Sequence, residues 1–226
     1  MTSGPTDPIY DPVLKKMLTK PSHEKARAYG YSLASSIIET FHAGDFRQSP
    51  KPSITVHSAE IELAIENFML SLGTLLGVID SDPKFSMAPP FMRYLSEVAF
   101  IQLGDASITG VPGELYPEIA VGGIENPAGA DYVIAPQEVP NLRSQFPGKL
   151  NLMVNLANDS IGYIIPKSEW DEDAPWIYGE NEETYGEVVS LGPNTALIIH
   201  ENLVKLIGES KNNSKGVRHG AGQNGE

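Results

Sequence analysis

Two side chains in this sequence of 226 residues sit where chemistry could be done. Glu114 follows an apolar run and a Pro-Gly pair, so its carboxylate falls where a strand ends, and mixed α/β proteins gather ligands at strand ends. The same Pro-Gly-Glu is also a good helix start, because an acidic side chain in a first turn favours the helix dipole. Tyr163 follows Asn158-Asp-Ser-Ile-Gly and precedes Ile-Ile-Pro. A phenol just past a strand end can act as an acid or a ligand, or it can simply anchor a turn. Trp170, Trp176, Tyr178 and Tyr185 lie among acidic residues. They could cap a groove for an apolar ligand or pack as ordinary amphipathic rings. The five histidines, His23, His42, His57, His200 and His219, stand singly, with no HxH or HExxH spacing, so each reads as a surface or capping residue. No nucleophile elbow, phosphate loop or dinucleotide fingerprint occurs. Cysteine is absent, which excludes disulfides, thiol catalysis and thiolate metal sites.

The elements that position these residues can be read from periodicity. Ser22 stands as an N-cap, and Ala26, Gly30, Leu33, Ile37 and Phe41 recur at helical spacing up to Gly44, predicting a helix over 23–42. Residues 53–66 alternate with period two, and the apolar phase flips near 58–60. That flip predicts a bulge or bend, with helix from Ala59 as the alternative. Residues 96–103 and 106–111 read as a hairpin about Gly104-Asp105, and 115–121 as a short helix. Residues 122–149 hold four Gly and four Pro, which predicts a long irregular loop. Residues 150–157 read as a buried strand, and Pro193 opens a helix over 194–207. The Gly, Asn, Lys and Ser of 210–226 predict a disordered tail. The fold class that follows is α/β, a mixed sheet flanked by helices.

Composition narrows the partners. Lys and Arg number 16 against 29 Asp and Glu, a formal charge of −13. A chain so acidic repels phosphate backbones, so nucleic acid is not expected as a partner. The longest apolar run, Phe68 to Ile79, is too short for a transmembrane segment.

Three segments carry a resemblance. QLGDASITGVPGELYPEIA at 102–120, the run from Leu150 through Asn158 to Gly-Tyr-Ile-Ile-Pro at 162–166, and Glu182-Glu-Thr-Tyr-Gly-Glu-Val-Val-Ser-Leu-Gly-Pro193 occur in one order. That order resembles the later part of the neutral/alkaline non-lysosomal ceramidase family. The resemblance implies hydrolysis of the amide of ceramide, giving sphingosine and a fatty acid, on one Zn2+ held by two histidines, a glutamate and a tyrosine. It implies that Glu114 is the glutamate ligand, and that Tyr163 is the tyrosine ligand and a catalytic residue. The two histidines of the family lie in an earlier region that this sequence does not contain. Residues 1–209 would then be the carboxyl-side part of a catalytic domain, an incomplete half that is inactive alone and exposes apolar surface. Its partners would be a ceramide-like lipid and the missing amino-side half, and its location secreted or at the cell surface. Two other readings stay open on the same scaffold: a non-catalytic protein that binds a ligand or partner, and a metal hydrolase with another substrate.

Overall fold

A computed structural model describes residues 7–44, 53–79, 83–123, 126–134, 138–148 and 150–220. The chain divides into two compact units, Met1–Pro50 and Lys51–Glu226.

In the first unit, Pro5, Pro8, Pro12 and Pro21 discourage continuous helix and mark residues 1–21 in the sequence as an extended lead-in, and within it strands β1 (Ile9–Asp11) and β2 (Lys16–Leu18) pair antiparallel. Asp11 closes the turn between them, accepting hydrogen bonds from the Val13 and Leu14 amides. Helix α1 (His23–His42) matches the predicted span, and the Ser22 side chain accepts from the Lys25 amide as its cap.

The second unit is built on a mixed sheet of five strands: β3 (Ile54–Ala64), β4 (Lys84–Phe85), β5 (Met92–Leu103), β6 (Ala106–Gly110) and β8 (Leu150–Val154). The order is β3-β5-β6-β8, with β4 paired to the start of β5. All pairs are antiparallel except β6 with β8. The short helices α2 (Phe68–Leu75), α3 (Pro117–Val121) and α4 (Leu142–Gln145) and the long helix α6 (Thr195–Gly220) complete the mixed α/β architecture expected from the sequence. Helix α6 packs on β3 and β5. Ala196, Ile199, Leu203 and Ile207 form its buried stripe, against Ile61, Leu63, Val98 and Phe100 of the sheet and Ile119 and Leu142 of α3 and α4.

Three sequence expectations are corrected. Strand β3 carries no bulge and no helix, and pairs with β5 in unbroken register from Ile54↔Leu103 to Ala64↔Arg93. The apolar phase flips because Ile54 and Val56 point out of the sheet on the face that also carries Glu60 and Glu62, while Ile61 and Leu63 point into the core. Across that outer face Leu103, Leu150, Leu152 and Val154 are likewise exposed, so the end of the sheet around Ile54 and Val56 is apolar, while Glu60, Glu62 and Glu97 make its other end polar. Helix α6 runs on to Gly220, through residues expected to be disordered tail. No proline interrupts that stretch, and Ser210 is buried within it. Residues 221–226 lie outside the described residues. Finally, the Gly- and Pro-rich stretch after α3 is not wholly irregular, because α4 buries Leu142 there and Phe146 follows it into the core.

Candidate functional site

Beyond the sheet, the chain leaving β6 and the chain leaving β8 continue side by side. Ala157 N–H donates to the Val111 carbonyl at 2.9 Å, and Ile161 N–H to Pro112 at 3.0 Å. The two segments then form a second, parallel pair, β7 (Glu114–Leu115) with β9 (Tyr163–Ile164). Glu114 N–H donates to the Gly162 carbonyl at 2.9 Å and Tyr116 N–H to Ile164 at 3.1 Å. Glu114 and Tyr163 are register partners, so their side chains leave the same face of this ribbon. Glu114 is therefore a strand residue, and the helix-start reading of Pro-Gly-Glu does not hold: α3 begins only at Pro117.

Two glycines permit this approach. A Cβ on Gly113 would run into the Gly162 carbonyl, and one on Gly162 would run into the Val189 carbonyl. Gly162 also has φ +91°, a conformation that side-chain-bearing residues rarely take. The far side of Tyr163 is held by the chain after α5 (Tyr185–Val188). Tyr163 forms a bridge to Ser190, whose hydroxyl donates to the Tyr163 carbonyl at 2.8 Å and the Gly186 carbonyl at 2.9 Å.

The phenol ring of Tyr163 stands edge-to-face between two others. Its centroid is 6.1 Å from that of Tyr116 and 6.1 Å from that of Tyr185, a spacing typical of favourable aromatic pairs. The Tyr163 hydroxyl is held above its ordinary pKa range first by desolvation and then by the negative charge of Glu114 and by Tyr185. Carboxylate and phenol thus share one place at the end of parallel strands, with the phenol protonated. Tyr116 is pushed up to about 12, first by burial and then by Glu169 and Glu187, so it too stays a neutral donor.

Sequence reasoning missed Glu187. This residue of α5 is almost fully buried, and neither carboxylate oxygen has a hydrogen-bond partner of good geometry. Burial, with Asp171 and Glu183 adding to it, pushes its pKa up to about 8. Between roughly pH 4.5 and 8 the folded chain therefore holds a proton that the unfolded chain releases, and the stability linked to that proton is lost as pH rises through this window. Glu187→Gln should raise the melting temperature by about 3 °C or more at pH 8.5 and change it little at pH 4.5. Thermal melts at the two pH values check this, and an equal shift at both would refute it. A signal was present in the sequence, since Glu187 adjoins the flagged acidic and aromatic segment, but no local pattern marks which acid is buried.

Of the four aromatic residues in that segment only Tyr185 touches Tyr163. Trp170 is buried, in keeping with ordinary packing, and Tyr178 is exposed. His200 corrects another expectation. It is not at the surface but buried on α6, with Nε2 3.0 Å from the Pro140 carbonyl. His57 lies on the inner face of β3 with Nδ1 3.9 Å from Glu209. Among the described residues no three His, Cys, Asp or Glu side chains are grouped so as to hold a metal ion.

No protein-family model matches the chain, and no curated protein is similar to it in sequence. Among solved structures, the neutral ceramidase from Pseudomonas aeruginosa superposes with a TM-score of 0.42 and 11% identity, over 76% of this chain. The chain spans only 30% of that protein's length. A likeness this distant assigns no function.

Proposed function

We propose that this chain is the carboxyl-side part of a ceramidase-like zinc amidohydrolase, in which Glu114 and Tyr163 are the two oxygen ligands and two histidines come from polypeptide outside the chain. One observation carries the reading. A carboxylate and a phenol about fifty positions apart in sequence meet as register partners on a two-residue parallel ribbon, and the charge of the one raises the pKa of the other. The ordered sequence resemblance singles out the same two residues. The donor set fits half of a zinc site, which takes about four ligands. Bound zinc supplies Lewis-acid activation of water and of the amide carbonyl.

The chain's own residues do the rest. Glu114, exposed at the strand end, offers an anionic donor without disturbing the core. Tyr163 is fixed from both sides, through its backbone by Ser190 and Glu114 and through its ring by Tyr116 and Tyr185. Its hydroxyl can give up or take back a proton next to Glu114.

Tyr163→Phe keeps both ring contacts and all the backbone pairing. In the assembled enzyme it should keep its melting temperature but lose about 100-fold or more in ceramide turnover, the range for a positioned proton-transfer group. Hydrolysis of a labelled ceramide measures this, and full activity would remove the phenol from the chemistry. A second reading is a non-catalytic protein on the same scaffold that binds a ligand or a partner. It predicts no zinc uptake even when an amino-side polypeptide is supplied.

A further inference from the structure

The ribbon that brings Glu114 and Tyr163 together is only two residues long on each side. Its backbone hydrogen bonds, like those from Ala157 to Val111 and from Ile161 to Pro112, use groups that every residue except proline carries in full. Such bonds do not choose between one register and the next. A slip of one residue turns every side chain to the opposite face, and Tyr163 would then leave the face that carries Glu114. Gly162 admits the close approach of the Val189 carbonyl, but it has no side chain to draw the segment into place. The segment leading into β9 is also wound tightly. Leu156 has φ 54° and Asn158 φ 69°, a region that residues with a side chain enter at a cost and keep only where their surroundings hold them.

Asp159 supplies a hold of this kind. Its Oδ1 accepts from the Tyr94 hydroxyl at 2.9 Å and from the Ser160 amide at 2.8 Å, and its Oδ2 accepts from the Ser96 hydroxyl at 2.9 Å. Beside it, Asn158 Nδ2 donates to Glu97 Oε1 at 3.2 Å. Tyr94 and Ser96 are two apart on β5 and so share a face, and both lie beyond the last pair with β6, Ala99↔Gly110. Ser96 is buried on the face that also carries Val98 and Phe100. A hydroxyl is costly there unless it is hydrogen-bonded, and a charged acceptor makes the stronger bond. An apolar residue in its place could pack, but it would not distinguish Asp159 from its neighbours in the loop. Only four residues separate Asp159 from Tyr163, and Ile161 between them is buried in the core, so the tether has little slack.

We infer that Asp159 is a positioning residue of the candidate site: gripped by the two hydroxyls of β5, it sets the register of β9 on β7 and so places the Tyr163 phenol on the face of Glu114. That the phenol so placed serves an ion rests on the zinc reading, whereas its placement does not.

Carbon-13 labelling of the tyrosine rings in the 226-residue chain gives the readout, with the Tyr163 signals assigned by their loss in Tyr163→Phe. In the parent, Tyr163 should give one set of signals, displaced by the ring currents of Tyr116 and Tyr185. Asp159→Ala should abolish that displacement, while the signals of Tyr29 and Tyr31 on α1 stay in place. Tyr94→Phe removes one of the two bonds without touching the loop. It should add a second set of Tyr163 signals, and it carries the test if Asp159→Ala does not fold. A lower melting temperature with the Tyr163 signals unmoved in folded Asp159→Ala would make Asp159 a stabilising contact only and overturn the inference. A single, unmoved set in Tyr94→Phe would overturn it as well. Either result leaves Glu114 and Tyr163 standing as ligands. A failure of the assembled parent to take up zinc would end the zinc reading and leave the register result standing.

Discussion

Co-produced with an amino-side polypeptide that supplies the two histidines, the chain should carry about one zinc, and Glu114→Gln should lower its affinity for the ion by about 100-fold or more. Loss of a hydrogen-bond partner behind a metal ligand already costs 10- to 100-fold. Replacing an anionic ligand itself with a neutral amide should cost at least as much. The fold should survive the change. Glu114 is exposed, and β7 is held to β9 by backbone hydrogen bonds that glutamine keeps. Metal analysis after gel filtration, followed by competition with a chelator, gives the affinity. Melting curves of the same samples separate ligand loss from unfolding. Unchanged zinc content in Glu114→Gln would end the ligand assignment.

The second large effect is structural. Gly162→Ala should destabilise the second unit by more than about 3 kcal/mol, beyond the usual cost of a single substitution. Two costs add at this position. Its φ of +91° is strained for any residue with a Cβ, and the new methyl would meet the Val189 carbonyl head-on. Neither neighbour can yield cheaply. The Val189 carbonyl accepts the Tyr163 amide at 3.3 Å, and the Gly162 carbonyl accepts the Glu114 amide at 2.9 Å. Relief by backbone movement would therefore pull apart both sides of the candidate site. Urea titration measures the loss. A stability within about 0.5 kcal/mol of the parent would mean that the ribbon is far more pliable than its geometry indicates.

What could be read in advance follows the range of the interaction. The span of α1, the hairpin of β5 and β6 and the opening of α6 after Pro193 rest on neighbours within a few residues. The phase flip in β3 suggests a bulge because alternation assumes that apolar residues mark one face, whereas here Ile54 and Val56 lie on the exposed face and Ile61 and Leu63 on the buried one. Glu114 and Tyr163 were each visible as strand-end residues. Their pairing was not, since it depends on register between distant segments, which no local pattern records. The same holds for Glu187 and His200. Their types are visible in the sequence, but their burial is decided by α5 lying against Tyr116 and by the Pro140 carbonyl meeting α6. Tyr116 was not singled out at all, although it shapes the ring stack on Tyr163.

The two parallel pairings, β6 with β8 and β7 with β9, carry a kinetic consequence. The turn at Gly104-Asp105 lets β5 and β6 zip together locally, but β8 reaches β6 only after an excursion of about forty residues. Closing so long a loop costs chain entropy before any contact repays it, so parallel pairing comes late in folding. Glu114 and Tyr163 can meet only when that closure is complete. An ion gripped by both would thus report that this late closure has taken place, and a nascent chain still short of β9 could not hold it.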